Sequence, residues 1–121
     1  MLKNFLFVGL GGALGSMLRY AFTLLAQLLC ISSHWATLTV NILGSFLIGC
    51  FSVSCSKTTL LLLLTVGFCG GFTTFSTFSS QSLLLLQNGR YGAGAAYIVA
   101  NLLLCILFAW LGFALARPSA S

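Results

Sequence analysis

The chain contains no aspartate and no glutamate among its 121 residues. That absence removes carboxylate general acids and bases, carboxylate-held magnesium or calcium, and acidic proton carriers within a membrane. Charge of either sign is scarce, at 4% of residues against about a quarter in soluble domains. The five cations, Lys3, Arg19, Lys57, Arg90 and Arg117, are scattered and form no patch of the kind that binds nucleic acid, which leaves anionic headgroups as the expected neighbours. The single histidine, His34, has no cysteine at metal-ligand spacing, and the five cysteines, Cys30, Cys50, Cys55, Cys69 and Cys105, include no CxxC pair. They read as small apolar filler. With one loop histidine, no acid and no base beside a cysteine, there is no apparatus for catalysis, and an enzyme is not expected.

What is present is apolar: hydrophobic residues make up 60% of the chain and mean hydropathy is +1.13. A bilayer span needs about 20 mostly apolar residues, and the chain supplies four. The expectation is an all-α, four-span transmembrane bundle forming a single domain over residues 1–121. The spans are expected near 4–29, 35–53, 59–86 and 91–116, with the third broken at 70–74 and Arg117 and Pro118 ending the fourth. Arg19 lies inside the first span and no small-residue cleavage site follows it, so that span is expected to be retained.

Small residues recur at spacings that let membrane helices approach closely: Gly11 and Gly15, Gly12 and Ser16, Gly44, Ser45 and Gly49, and Gly92 with Ala96. They argue for compact packing and oligomerisation. Four spans put Lys3, Lys57 and Arg117 on one side and Arg90 on the other, with Arg19 within the first span toward Arg90's side. So small a positive-inside bias leaves insertion in both orientations, and hence an antiparallel dimer, open.

Polar side chains inside the spans fall on helix faces. Thr37, Asn41 and Ser45 are spaced four apart, as are Tyr97, Asn101 and Cys105. Such stripes either hydrogen-bond between helices or line a water-filled path. In the third span, residues 70–78 read Gly-Gly-Phe-Thr-Thr-Phe-Ser-Thr-Phe. An unpaired backbone group in hydrocarbon costs several kcal/mol, so a break here must be buried in protein or line a polar cavity. Carbonyls freed at such a break suit a small hard cation such as sodium. Phe75 and Phe78 share a helix face, with Ser76, Thr77 and Ser80 nearby. The pair serves either as ordinary aromatic packing or as an anion wall, because a phenyl ring has a positive edge. Hydroxyl and amide donors would replace lost water, and no fixed negative charge repels an anion.

At these residues the chain resembles the Fluc (CrcB) fluoride channels, over nearly its whole length. The resemblance rests on Gly11-Gly12-Ala13-Leu14-Gly15 with Arg19-Tyr20, on Thr37 to Asn41 followed by Gly44-Ser45-Phe46, and above all on Gly67 to Phe78. It implies a passive fluoride-selective channel in the cell (inner) membrane that lowers cytoplasmic fluoride, built as an antiparallel (dual-topology) homodimer with two pores. By that resemblance Phe75 and Phe78 line the path, Asn41 hydrogen-bonds fluoride, and Ser76, Thr77, Thr37 and Tyr97 continue a polar track. Asn101 occupies a position that is often serine in such channels and keeps the track polar. Arg19 would stand near a pore vestibule, and carbonyls of Gly70 and Thr73 from both subunits would hold a central structural sodium ion (Na+). Gln81 takes the place of an expected glutamate, which removes a charge near the path.

Two rivals remain on sequence grounds. A small four-span multidrug exporter needs a membrane-embedded acid, and the chain has none. A non-transporting assembly subunit needs only the packing glycines and leaves the break at 70–74 without a purpose.

Overall fold

The computed structural model describes residues 1–54 and 56–117; Cys55 and the expected stop at Pro118 lie outside the described residues. Four helical stretches are long and apolar enough to cross a membrane. The chain is a multi-pass membrane protein. Helix α1 covers Leu2–Leu28, α2 Ser33–Ser54 and α6 Tyr91–Ala116. The third crossing is composite: α3 (Thr58–Leu62), a π-helical segment (Leu63–Cys69), α4 (Gly70–Phe72) and α5 (Phe75–Gln87). Polar residues such as Lys3 and His34 extend the helices beyond their apolar limits, because backbone hydrogen bonding does not stop where the side chains turn polar.

The break is shorter than the glycines suggest. Gly70 keeps helical dihedrals (φ −61°, ψ −38°), whereas Thr73 and Thr74 are extended. Glycine permits a break without imposing one; the backbone leaves the helix where another partner takes its amide. Upstream, the π-helical segment seats the buried Gly67 against Val8 and Gly11 of α1. Such segments are rare within helices and concentrate at functional sites.

Glycine contacts set the helix pairing. A methyl group added at Gly11 or Gly15 would strike the carbonyl oxygens of Leu63 or Phe68, so α1 lies directly on the π-helical segment. One added at Gly49 would strike Ala109 O, and one at Gly112 would strike Phe46 O, a reciprocal contact that joins α2 to α6. Gly92, by contrast, faces open space, and the close approach in the fourth span is made by Gly112 and Gly94.

Two connections end in the same way. Ile31 N–H bonds Ala26 O (2.8 Å) and Cys30 N–H bonds Gln27 O (3.2 Å), while Arg90 N–H bonds Leu85 O (2.9 Å) and Gly89 N–H bonds Leu86 O (3.1 Å). Both are Schellman caps requiring a left-handed residue. Gly89 meets that at φ 75°, whereas Cys30 does so at φ 57° with a side chain. With up-down connectivity, the Ser32–His34 turn and Arg90 share one end of the bundle, and Lys3, Lys57 and Arg117 the other.

Candidate functional site

The site is organised by the backbone of Thr74. In a continuous helix its N–H would close on Gly70 O. Extended dihedrals at Thr73 (φ −79°, ψ 160°) and Thr74 (φ −144°, ψ 116°) turn it away. The buried side chain of Asn41, on α2, takes it instead: Thr74 N–H donates to Asn41 Oδ1 (2.8 Å) and Asn41 Nδ2 donates back to Thr74 O (3.3 Å). One amide thereby satisfies both polar groups of a residue at membrane depth, where leaving either unpaired is costly. The Thr74 hydroxyl then caps α5 by accepting from Thr77 N–H (3.2 Å), and it meets the hydroxyls of Ser76 (3.3 Å) and Thr77 (3.1 Å). Gly70 O and Thr73 O are thus left without the amides that would have closed on them.

Asn41 also reaches across the bundle. Its Nδ2 donates to Asn101 Oδ1 (3.1 Å), and Asn101 Nδ2 donates to Tyr97 O (3.0 Å). Asn41 is 9% exposed and Asn101 3%. Both border a cleft of about 230 Å³ that is also lined by Thr73, Thr74, Phe75 and Phe78. The Phe75 and Phe78 rings lie 5.5 Å apart, tilted by 54°. Their environments differ sharply, since Phe78 is 7% exposed and Phe75 74%. The cleft thus has a satisfied amide network on one wall and a projecting aromatic ring on the other.

The remaining sequence-derived residues lie around this cleft. Thr37 is buried one turn before Asn41 on α2. Tyr97 packs on Phe78 (centroids 5.6 Å) and its hydroxyl donates to Gln81 Oε1. It also lines a second cavity of about 530 Å³ with His34, Trp35 and Arg90. Tyr97 therefore stands between the cleft and that end of the bundle. Arg19 is tied to the third crossing: its Nε donates to Gly71 O (3.0 Å), just before the break. Among the described residues no group of histidines or cysteines could hold a metal, so any cation here would rest on backbone oxygens.

Two participants were not selected from sequence. Thr74 matters through its backbone, and the one available signal was a threonine in N-cap position before Phe-Ser-Thr. His34 sits edge-on to Tyr97 (centroids 5.1 Å), and its Nε2 is buried without a partner. By sequence it falls in the polar connection, whereas the structure places it in the first turn of α2. Other hydroxyls in the spans have no part in the cleft: Thr23, Thr39, Thr65 and Ser82 each bond the carbonyl four residues earlier.

Comparison with known proteins adds an independent line. The family profile described as "CrcB-like protein, Camphor Resistance (CrcB)" matches residues 6–113. A Campylobacter jejuni (strain RM1221) protein is 48% identical over 118 residues, covering 93% of this chain and 97% of its own length. A Phocaeicola vulgatus protein is 44% identical over 116 residues (92% and 96%) and an Elusimicrobium minutum protein 43% identical over 120 (97% and 96%). All three carry the name "Fluoride-specific ion channel FluC".

Proposed function

The chain belongs to the CrcB family, and from that membership we propose that it is a passive fluoride-selective channel of the cell membrane, carrying fluoride down its gradient and out of the cytoplasm. The observation that carries the reading is the cleft, where two phenylalanine rings face a buried asparagine pair in a chain without any acidic residue. An anion leaving water there is compensated by ring edges and by amide and hydroxyl donors, in surroundings of low dielectric where such donors act strongly. Asn41, Phe75, Phe78 and Asn101 form the central path. Tyr97 and Thr37 extend it along the bundle, and Ser76 and Thr77 supply hydroxyls beside Thr74.

The working unit is an antiparallel homodimer. Phe75 projects from its own chain, and the half-open cleft beside it is completed by a second copy. The same assembly gives the freed carbonyls a use. Gly70 O and Thr73 O from two copies make four oxygens, a donor set suited to sodium. A sodium ion there supplies positive charge that offsets converging carbonyl dipoles. Arg19 already holds Gly71 O, so guanidinium and cation together would neutralise the oxygens of the break.

The test is efflux from liposomes holding the purified protein, read with fluoride and chloride electrodes. Fluoride release without comparable chloride release is expected. No fluoride flux, or equal chloride flux, would remove the assignment.

A further inference from the structure

The orientation of both asparagine amides follows from their partners. Thr74 N–H is only a donor, so Asn41 must turn Oδ1 toward it, which leaves Nδ2 facing Thr74 O and Asn101. Since Asn41 Nδ2 is only a donor, Asn101 must offer Oδ1 in return. Its own Nδ2 then meets the carbonyl of Tyr97, an acceptor. Every bond agrees, and the network has one arrangement.

That arrangement commits both hydrogens of Asn41 Nδ2. One belongs to the two-point grip on Thr74 and is held there by the need to satisfy the break. The other points to Asn101 Oδ1, at 3.1 Å, on the wall of the cleft. It is the Asn41 hydrogen that an anion can claim, and a neutral oxygen already occupies the acceptor position.

We propose that Asn101 is an internal competitor for fluoride: its Oδ1 holds the Asn41 donor between ions, and an anion binds Asn41 only by displacing it. This rests on the channel reading above and adds the residue that sets how readily the site fills. Displacement is local. A side-chain rotation of Asn101 releases the donor, while Tyr97 O keeps its own helical N–H. Asn41 need not move, so the break stays closed through every exchange. Asn101 thus acts on the ion through Asn41 and is a positioning residue rather than a ligand. Because the competitor is an uncharged amide, a strong single-atom acceptor such as fluoride can overcome it.

The experiment measures fluoride flux against fluoride concentration in liposomes for the wild type, N101A, N101S and N101D. N101A removes the competing acceptor, and N101S draws it back from the Asn41 donor on a side chain one atom shorter, so each takes one neutral hydrogen bond out of the cost of binding. Half-saturating fluoride is expected to fall roughly three- to tenfold. In N101D a charged acceptor stays on Asn41 and repels the ion, so fluoride flux is expected to be lost. A residue that only packs the bundle would not tighten fluoride binding when truncated. Unchanged or raised half-saturation in folded N101A and N101S overturns the proposal. A second readout uses the intact protein labelled with 15N-asparagine. Fluoride is expected to shift the side-chain amides of Asn41 and Asn101 with one midpoint, and an unmoved Asn101 amide also overturns it. Absence of fluoride flux in the wild type would instead strike the channel reading itself.

Discussion

Phe75 and Phe78 have the same chemistry and sit one helical turn apart, yet their energetic roles separate. Phe78 is buried among Phe75, Tyr97 and the cleft, so shortening it removes packing as well as a ring edge. Phe78→Ile is expected to lower stability by about 1–1.5 kcal/mol and to reduce fluoride flux tenfold or more. Phe75 has three-quarters of its surface outside the chain, so Phe75→Ile should cost little stability in the single subunit. It should reduce flux as strongly. Melting in detergent beside liposome efflux checks both, and wild-type conduction by Phe75→Ile would show that the exposed ring has no part in the path. A different residue-scale cost lies at Cys30, the left-handed position of its Schellman cap. Gly89 fills the equivalent place without a Cβ clash, which for an L side chain costs about 1–2 kcal/mol. Part of that gain is returned as unfolded-chain entropy. Cys30→Gly is therefore expected to raise stability by about 0.5–1 kcal/mol, seen as a higher melting temperature with unchanged flux.

The break shows what a sequence can convey about an element and what it cannot. Four apolar stretches bounded by Ser32-Ser33-His34, Lys57 and Asn88-Gly89-Arg90 were legible as spans, because hydropathy and turn chemistry are local properties. Helical spacing likewise places Phe75 with Phe78 and sets Asn41 and Asn101 each on a polar stripe, while their meeting at one cleft was expected from the family resemblance alone. The position of the interruption was not legible, because it is fixed by a side chain from another helix. Glycines at 70 and 71 pointed to themselves, while Asn41 pulls Thr74 out of the helix three residues later. The π-helical winding of Leu63–Cys69 was equally hidden, as it depends on Gly67 seating against Val8 and Gly11. The bond from Arg19 to Gly71 is hidden in the same way, because nothing local reveals a partner 52 residues away. If Asn41 holds the break, Asn41→Ala should orphan a buried amide and destabilise the protein by about 1–3 kcal/mol. Asn41→Asp keeps an acceptor for Thr74 N–H. Hydrogen exchange should show the Thr74 amide protected in the wild type and Asn41→Asp but not in Asn41→Ala. Equal protection in all three would locate the cause of the break elsewhere.

Over the whole molecule, the few charges leave orientation nearly free. Lys3, Lys57 and Arg117 stand at one end and Arg90 at the other, while Arg19 is engaged in mid-bundle with Gly71. An antiparallel dimer depends on that balance, since copies of one sequence must enter the membrane both ways. Shifting the balance should therefore separate folding from function. Ser56→Lys with Thr58→Lys strengthens the end that already holds three cations and should fix one orientation. Lys3→Gln and Lys57→Gln, combined with Gln27→Lys and Asn88→Lys, leave one cation at that end against three at the other and should fix the reverse. All six positions lie at the ends of the helices, away from the cleft. Each set expressed alone supplies chains of a single orientation and is expected to give no fluoride release from vesicles, although the protein reaches the membrane. Expressing both sets together restores opposed partners and is expected to recover fluoride release. Full activity from either set alone would mean that a parallel pair or a single chain completes the path. The projecting Phe75 would then need a partner other than an inverted copy.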